Sequence, residues 1–133
     1  MGIPEEELRE RLHRGYEAFN RGDYDSAMEF VRPDVVLISL NPGRTEIRGA
    51  EAFRAWMEPD AFDSQVSEPN VIEIAGHRVL IHQRTRARGA GSGIEFESGS
   101  WAVWTFDEEG RVIRMENFLE QEEEEARRAL HAP

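Results

Sequence analysis

The sequence predicts an α+β fold from three features: helical periodicity near the start, strand patterns through the second half, and no composition break between them. Leu8, Leu12, Tyr16 and Phe19 recur at helical spacing and define one apolar helix face. Later apolar runs are punctuated by Ala75-Gly76-His77, Gly89-Ala90-Gly91-Ser92-Gly93 and Asp107-Glu108-Glu109-Gly110, the connections of an antiparallel meander. The 133 residues contain no repeat or low-complexity linker, so residues 1–133 are expected to form a single domain.

Pro4 suits the first position of the first helix, with Glu5, Glu6 and Glu7 at the positive end of its dipole. Gly22 ends that helix and Asp23 caps a short second one, with Ala27, Met28, Phe30 and Val31 as apolar contacts and Pro33 as its stop. Residues 34–40 are rich in Val, Leu and Ile and read as a strand. Asn41-Pro42-Gly43 is a turn, residues 45–48 a short returning strand, and Gly49 precedes a third helix with Phe53, Trp56 and Met57. Pro59 and the polar stretch after it read as a loop. Four strands are expected near 69–75, 78–88, 94–106 and 111–119. The acidic run at 120–125 reads as a solvated helix start.

Charge sets a register for the longest hairpin. Pairing Arg88 with Glu95 and Arg86 with Glu97 puts opposite charges across the strands. It also places His82 beside Trp101 on an outer face and makes Arg84, Arg86 and Arg88 a charge ladder. The inner face then carries Val79, Ile81, Gln83, Thr85 and Ala87 opposite Phe96, Ser98, Ser100, Ala102, Trp104 and Phe106. Pairing Phe106 with Arg111 sets Ala102 opposite Met115 and Ser100 opposite Asn117, so Gln83, Ser100 and Asn117 form a polar row across three strands. They either satisfy one another inside an ordinary core or line a ligand pocket. Leu80, Trp101, Val103 and Phe118 fall on the outer face, an apolar stripe of the kind that marks an interface.

Bulk properties exclude several functions. A formal net charge of −11 lacks the basic footprint of a nucleic-acid binder. Without cysteine, disulfides, thiolate catalysis and cysteine-based zinc sites are ruled out, which fits a cytoplasmic protein. No apolar run approaches the roughly 18 residues of a membrane span. The N-terminal Met-Gly-Ile-Pro-Glu-Glu-Glu lacks signal-peptide order. No His/carboxylate set has metal-ligand spacing, and the glycine-rich 89–93 segment joins strands rather than opening a helix. No metal or cofactor is therefore expected.

The stretch Tyr16-Glu-Ala-Phe-Asn-Arg-Gly-Asp23, followed by Pro33, a hydrophobic strand, Asn41-Pro42-Gly43 and a helix after Gly49, resembles the opening of the SnoaL-like, or nuclear transport factor 2-like, superfamily. That superfamily includes ketosteroid isomerases and polyketide cyclases, and the resemblance covers essentially the whole chain. It implies a cone-shaped, curved antiparallel sheet wrapped around N-terminal helices (a cystatin-like roll), an internal pocket, and a homodimer through the outer sheet face. Isomerase chemistry of this type needs a carboxylate base and an oxyanion hole made of a Tyr and a protonated Asp. Tyr16 matches that Tyr and is the one candidate catalytic residue. The base position is Asn41, the second oxyanion position, counted back from Phe106, is Ala102, and the cyclase acid/base position is Asn117. An amide does not exchange protons near neutral pH. The Asp-Arg-Asp set of the epoxide-hydrolase branch has no counterpart on the inner face.

Three functions remain open at this stage. The first is a pocket for a small, largely apolar or aromatic molecule. Tyr16, Asn41, Gln83, Ser100 and Asn117 would be its polar contacts, with Trp56, Ala102, Trp104, Met115 and Leu119 as walls. The second is an isomerase, cyclase or dehydratase in which Tyr16 polarises a carbonyl. The third is a non-catalytic dimerisation module whose cone is filled by its own side chains.

Overall fold

The computed structural model describes residues 2–40, 44–58 and 62–133. The elements are α1 (Glu5–Asn20), α2 (Tyr24–Ala27), β1 (Val31–Ser39), β2 (Thr45–Arg48), α3 (Ala50–Met57), β3 (Phe62–Ala75), β4 (Arg78–Gly89), β5 (Glu95–Phe106), β6 (Val112–Leu119), a 3-10 turn (Glu120–Glu122) and α4 (Glu123–Leu130). The strands form one curved, open sheet in the order β2-β1-β6-β5-β4-β3. The α+β class and the meander are as expected, while the seam between β1 and β6 is parallel. The expected Asn41-Pro42-Gly43 turn and the loop at Pro59 lie outside the described residues. Among the described residues no helix is long and apolar enough to cross a membrane.

The Phe-Asn-Arg-Gly-Asp segment has a mechanical role. Gly22 takes φ +78°, and the amides of Arg21, Gly22 and Asp23 close onto Glu17, Phe19 and Ala18 carbonyls, satisfying the last carbonyls of α1. Asp23 then caps α2 through Ser26 N–H, 3.2 Å from Oδ1. Asn20 faces the free edge of the sheet. Its Nδ2 donates to Ser67 O at 2.9 Å and its Oδ1 accepts from Ser67 N at 2.7 Å. The side-chain amide thus stands in for a neighbouring strand and blocks the edge of β3.

Pro33 does not stop α2 as expected. The helix ends at Ala27, a turn follows, and Pro33 lies within β1. The β1–β6 register is interrupted between Val31 and Val36, where a residue without an N–H costs no ladder bond. β3 begins at Phe62 rather than near 69. Its polar first half reads as loop, but it is an edge strand, which tolerates Pro69 and exposes alternate side chains.

The β4–β5 register agrees with the one drawn from charge, with Arg88 opposite Glu95 and His82 opposite Trp101. The ion pairs themselves run diagonally: Arg84 pairs with Glu97, and Arg86 reaches Glu68 on β3 at 3.0 Å. Being exposed and screened by solvent, these pairs contribute little to stability. The β5–β6 register differs from expectation by two residues. Asp107 N–H bonds Arg111 O, and a bulge follows between Thr105 and Phe106. Trp104 therefore meets Met115, Ala102 meets Asn117, and Ser100 meets Leu119. Because the shift is even, the β6 side chains from Arg114 to Leu119 keep their predicted faces, while the bulge turns Val112 into the inner core opposite Phe106.

The main core lies between the inner sheet face and the helices: Leu8, Leu12 and Tyr16 from α1, Phe53 and Met57 from α3, against Leu37, Val79, Ile81, Ala102, Phe106 and Met115. The outer stripe is not a surface. Leu80, Trp101, Val103 and Phe118 are buried with Ala126 and Leu130 of α4. Trp101 Nε1 donates to Glu120 O at 2.8 Å, and Arg78 reaches the Ala129 carbonyl at 3.2 Å. The acidic run opens α4, as expected, and that helix covers the stripe that had suggested a dimer interface. Glu116, on the outer face of β6, is partly buried beside Arg44 and Arg114.

Candidate functional site

A cavity of about 120 Å³ lies between α1, α2, α3 and the inner sheet face. Its apolar wall includes Leu12, Phe19, Phe53, Met57, Trp104 and Met115. Gly15 opens space on α1, since a Cβ there would meet only Ala27 O at 3.9 Å. Trp56 stands at the wall with 36% of its surface exposed, its ring edge-on to Phe53 at 6.0 Å.

A directional hydrogen-bond chain runs behind this space. Trp104 Nε1 donates to Tyr16 Oη at 3.3 Å, and Tyr16 donates its proton to Gln83 Oε1 at 2.6 Å. Gln83 Nε2 donates to Ser100 Oγ at 3.0 Å and toward Asn117 Oδ1 at 3.4 Å. Asn117 Nδ2 ends the chain on Ile38 O at 3.1 Å. Burial pushes the Tyr16 phenol well above its ordinary pKa, with the Trp104 hydrogen bond opposing weakly. Tyr16 is therefore a neutral donor whose single proton is already committed.

Of the residues expected to form the site, Tyr16, Trp56, Gln83, Trp104 and Met115 line the cavity. Ser100 and Asn117 sit behind Gln83 within the network. Ala102 is fully buried in the core. Leu119, expected as a wall, is 44% exposed and away from the cavity, because the β6 offset places it opposite Ser100. Asn41 lies outside the described residues. His82 faces outward, edge-on to Trp101 at 4.7 Å and 3.4 Å from Glu120. His13 binds the Arg9 carbonyl at 2.8 Å on the exposed side of α1.

Two groups went unrecognised in the sequence. Gln65 and Ser67 on β3 line the cavity, and Ser67 Oγ lies 3.2 Å from Thr85 Oγ1. The period-two series Gln65, Ser67, Pro69, Val71 was the available signal. Arg11 and Arg14 approach the other end of the cavity. Arg11 pairs with Glu7 at 2.6 Å and Arg14 with Glu29 at 3.0 Å, while both guanidinium groups lie over the Phe30 ring.

A family model described as a SnoaL-like domain matches residues 12–115. The chain belongs to the SnoaL-like domain family. The match runs from the middle of α1 to the middle of β6 and takes in the elements between them. Solved structures repeat this SnoaL-like architecture. The epoxide hydrolase/cyclase-like enzyme SalBIII, associated with pyran ring formation in polyether salinomycin, has a TM-score of 0.76 at 18% identity, over 86% of this chain and 91% of that one. An NTF2-like protein of unknown function from Burkholderia pseudomallei has a TM-score of 0.73 at 20% identity, over 95% and 98%. A Mycobacterium tuberculosis protein solved in complex with estradiol-17beta-hemisuccinate has a TM-score of 0.72 at 15% identity, over 86% and 95%. At these identities the likeness is one of fold. No curated protein matches the sequence.

Proposed function

We propose that this SnoaL-like protein binds a small, largely apolar molecule in the cavity between α1, α3 and the inner sheet face. The observation that carries this reading is an apolar chamber of about 120 Å³ beside a polar network whose own groups are satisfied. Cavities of roughly 150 Å³ take up a single benzene-sized ring, so the enclosed part accommodates about one ring. A larger flat ligand would continue outward past the half-exposed Trp56. Crystallographic capture of a steroid ester by a neighbour of the same fold supports rings as the ligand class.

Catalysis on a carbonyl is the weaker reading. It would require Tyr16 to donate to substrate, yet that proton goes to Gln83. The acid/base positions hold Ala102 and Asn117, and neither transfers protons. A homodimer through the outer sheet face would use the part that α4 leaves open, near Val36, Thr105, Ile113 and Arg114.

Tyr16→Phe separates binding from catalysis. The variant removes two hydrogen bonds, one to Gln83 and one from Trp104. It is expected to fold, to lose about 1–3 kcal/mol of stability for each group it orphans, the Gln83 oxygen and the Trp104 N–H, and to bind aromatic ligands within about tenfold of wild type. Turnover of a cyclic ketone by the wild type that disappears in Tyr16→Phe would establish the enzyme reading instead.

A further inference from the structure

Gln65 differs from every other polar group at the cavity. Among the described residues, its Oε1 is the buried side-chain oxygen or nitrogen left without a partner, and the residue lies in the cavity wall. An unpartnered buried acceptor is unfavourable unless something occasionally satisfies it. The neighbouring groups cannot do so where they stand. Tyr16 and Gln83 give their protons along the network, and Trp104 gives its own to Tyr16. Ser67 and Thr85 share one hydrogen bond, neither hydroxyl lying within hydrogen-bond distance of Gln65 Oε1. Cations at the far end of the cavity are neutralised by Glu7 and Glu29, so nothing there is free to hold an anion.

We propose that Gln65 is the specificity-determining residue of the pocket, accepting a hydrogen bond from a neutral donor, a hydroxyl or N–H, carried on a ligand of about one aromatic ring. The inference rests on the pocket reading above. A small turn of the terminal amide brings Oε1 toward a ligand set against the β3 wall, while the ring takes the space beside Phe53, Met57 and Trp104. The pocket then prefers phenol-like molecules over carbonyl acceptors of the same size, because a donor relieves the orphaned oxygen and an acceptor does not.

The test is an NMR titration of the ¹⁵N-labelled protein with phenol, toluene and acetophenone, in the wild type and in Gln65→Leu and Gln65→Met. In the wild type, phenol and toluene are expected to shift the Trp104 indole signal saturably. Both variants should weaken phenol relative to toluene by about fivefold or more, the factor equivalent to one hydrogen bond. The ratio of acetophenone to toluene should stay constant. The ligand-free variants should melt no lower than wild type, since they lose only an unpaired group. An unchanged phenol-to-toluene ratio overturns the role of Gln65 while leaving the pocket standing. Failure of all three probes to bind removes the pocket itself. A marked fall in the variants' melting temperature shows that the amide is bonded within the protein and also overturns the proposal.

Discussion

Gln83→Leu is expected to be among the most damaging single substitutions in this chain, lowering stability by about 2–6 kcal/mol. The side chain is nearly conserved in volume, so the effect comes from polarity rather than from a void. Gln83 accepts from Tyr16 and donates to Ser100 and Asn117. Tyr16 and Asn117 are 8% and 2% exposed, so neither can turn to water when Gln83 is lost. Each stranded group costs about 1–3 kcal/mol, a large share of a typical total of about 5–15 kcal/mol. Chemical denaturation measures it directly. The double variant Tyr16→Phe/Gln83→Leu removes the stranded phenol but frees the Trp104 N–H, so its loss should fall short of the sum of the two single losses. Strict additivity of the two losses would show that Tyr16 and Gln83 are not coupled.

The second large effect concerns the other side of the sheet. Removing residues 123–133 uncovers Leu80, Trp101, Val103 and Phe118, which α4 buries through Ala126 and Leu130. Burial of each large apolar side chain contributes about 1.5–3 kcal/mol, so the shortened chain is expected to lose most of its stability and to self-associate through the bared stripe. Leu130→Ala, at a side chain 1% exposed, should cost about 2–5 kcal/mol without self-association. Sedimentation velocity alongside thermal unfolding reads both. A shortened chain that stays monomeric with an unchanged melting temperature would show that α4 is dispensable to the sheet.

That same stripe shows where sequence reasoning succeeds and where it stops. Alternation placed Leu80, Trp101, Val103 and Phe118 correctly on one outer face, because the side-chain period of a strand is strict. What covers a face is a tertiary question, and the acidic start of α4 disguised the apolar pair Ala126 and Leu130 behind it. Charge complementarity fixed the β4–β5 register, since a one-residue slip would set Arg86 and Arg88 opposite uncharged residues instead of glutamates. The β5–β6 register had no such marker, and its bulge has no compositional signal. β3 was truncated in the reading because an edge strand carries polar residues and Pro69 at no cost to the ladder.

The candidate site was legible in part for the same reasons. Tyr16, Gln83, Trp104 and Met115 were found because periodicity assigns faces and the cavity lies on one face. Gln65 and Ser67 were hidden inside the segment read as loop. Asn20 was seen only as part of a recurring motif, whereas its role is to close the edge of β3 at Ser67. For the polar row the sequence left two readings open, mutual bonding or a pocket lining; Gln83, Ser100 and Asn117 bond one another, and Gln83 also lines the cavity. The row's connection to Tyr16 depends on how closely α1 packs against the sheet, which no local pattern encodes.

The central claim is that the chamber receives a ligand, and tryptophan fluorescence titration with flat ring compounds, from toluene and naphthol to steroids and aromatic polyketides, tests it most directly. Trp56 and Trp104 both stand in the cavity wall, so occupancy should change their emission saturably in the wild type. Gly15→Leu fills the chamber from α1 and leaves both reporters in place, and it should abolish the change while the fold is retained. A signal absent across the panel, or equally strong in Gly15→Leu, would contradict the binding function and leave a closed cone whose network serves stability alone.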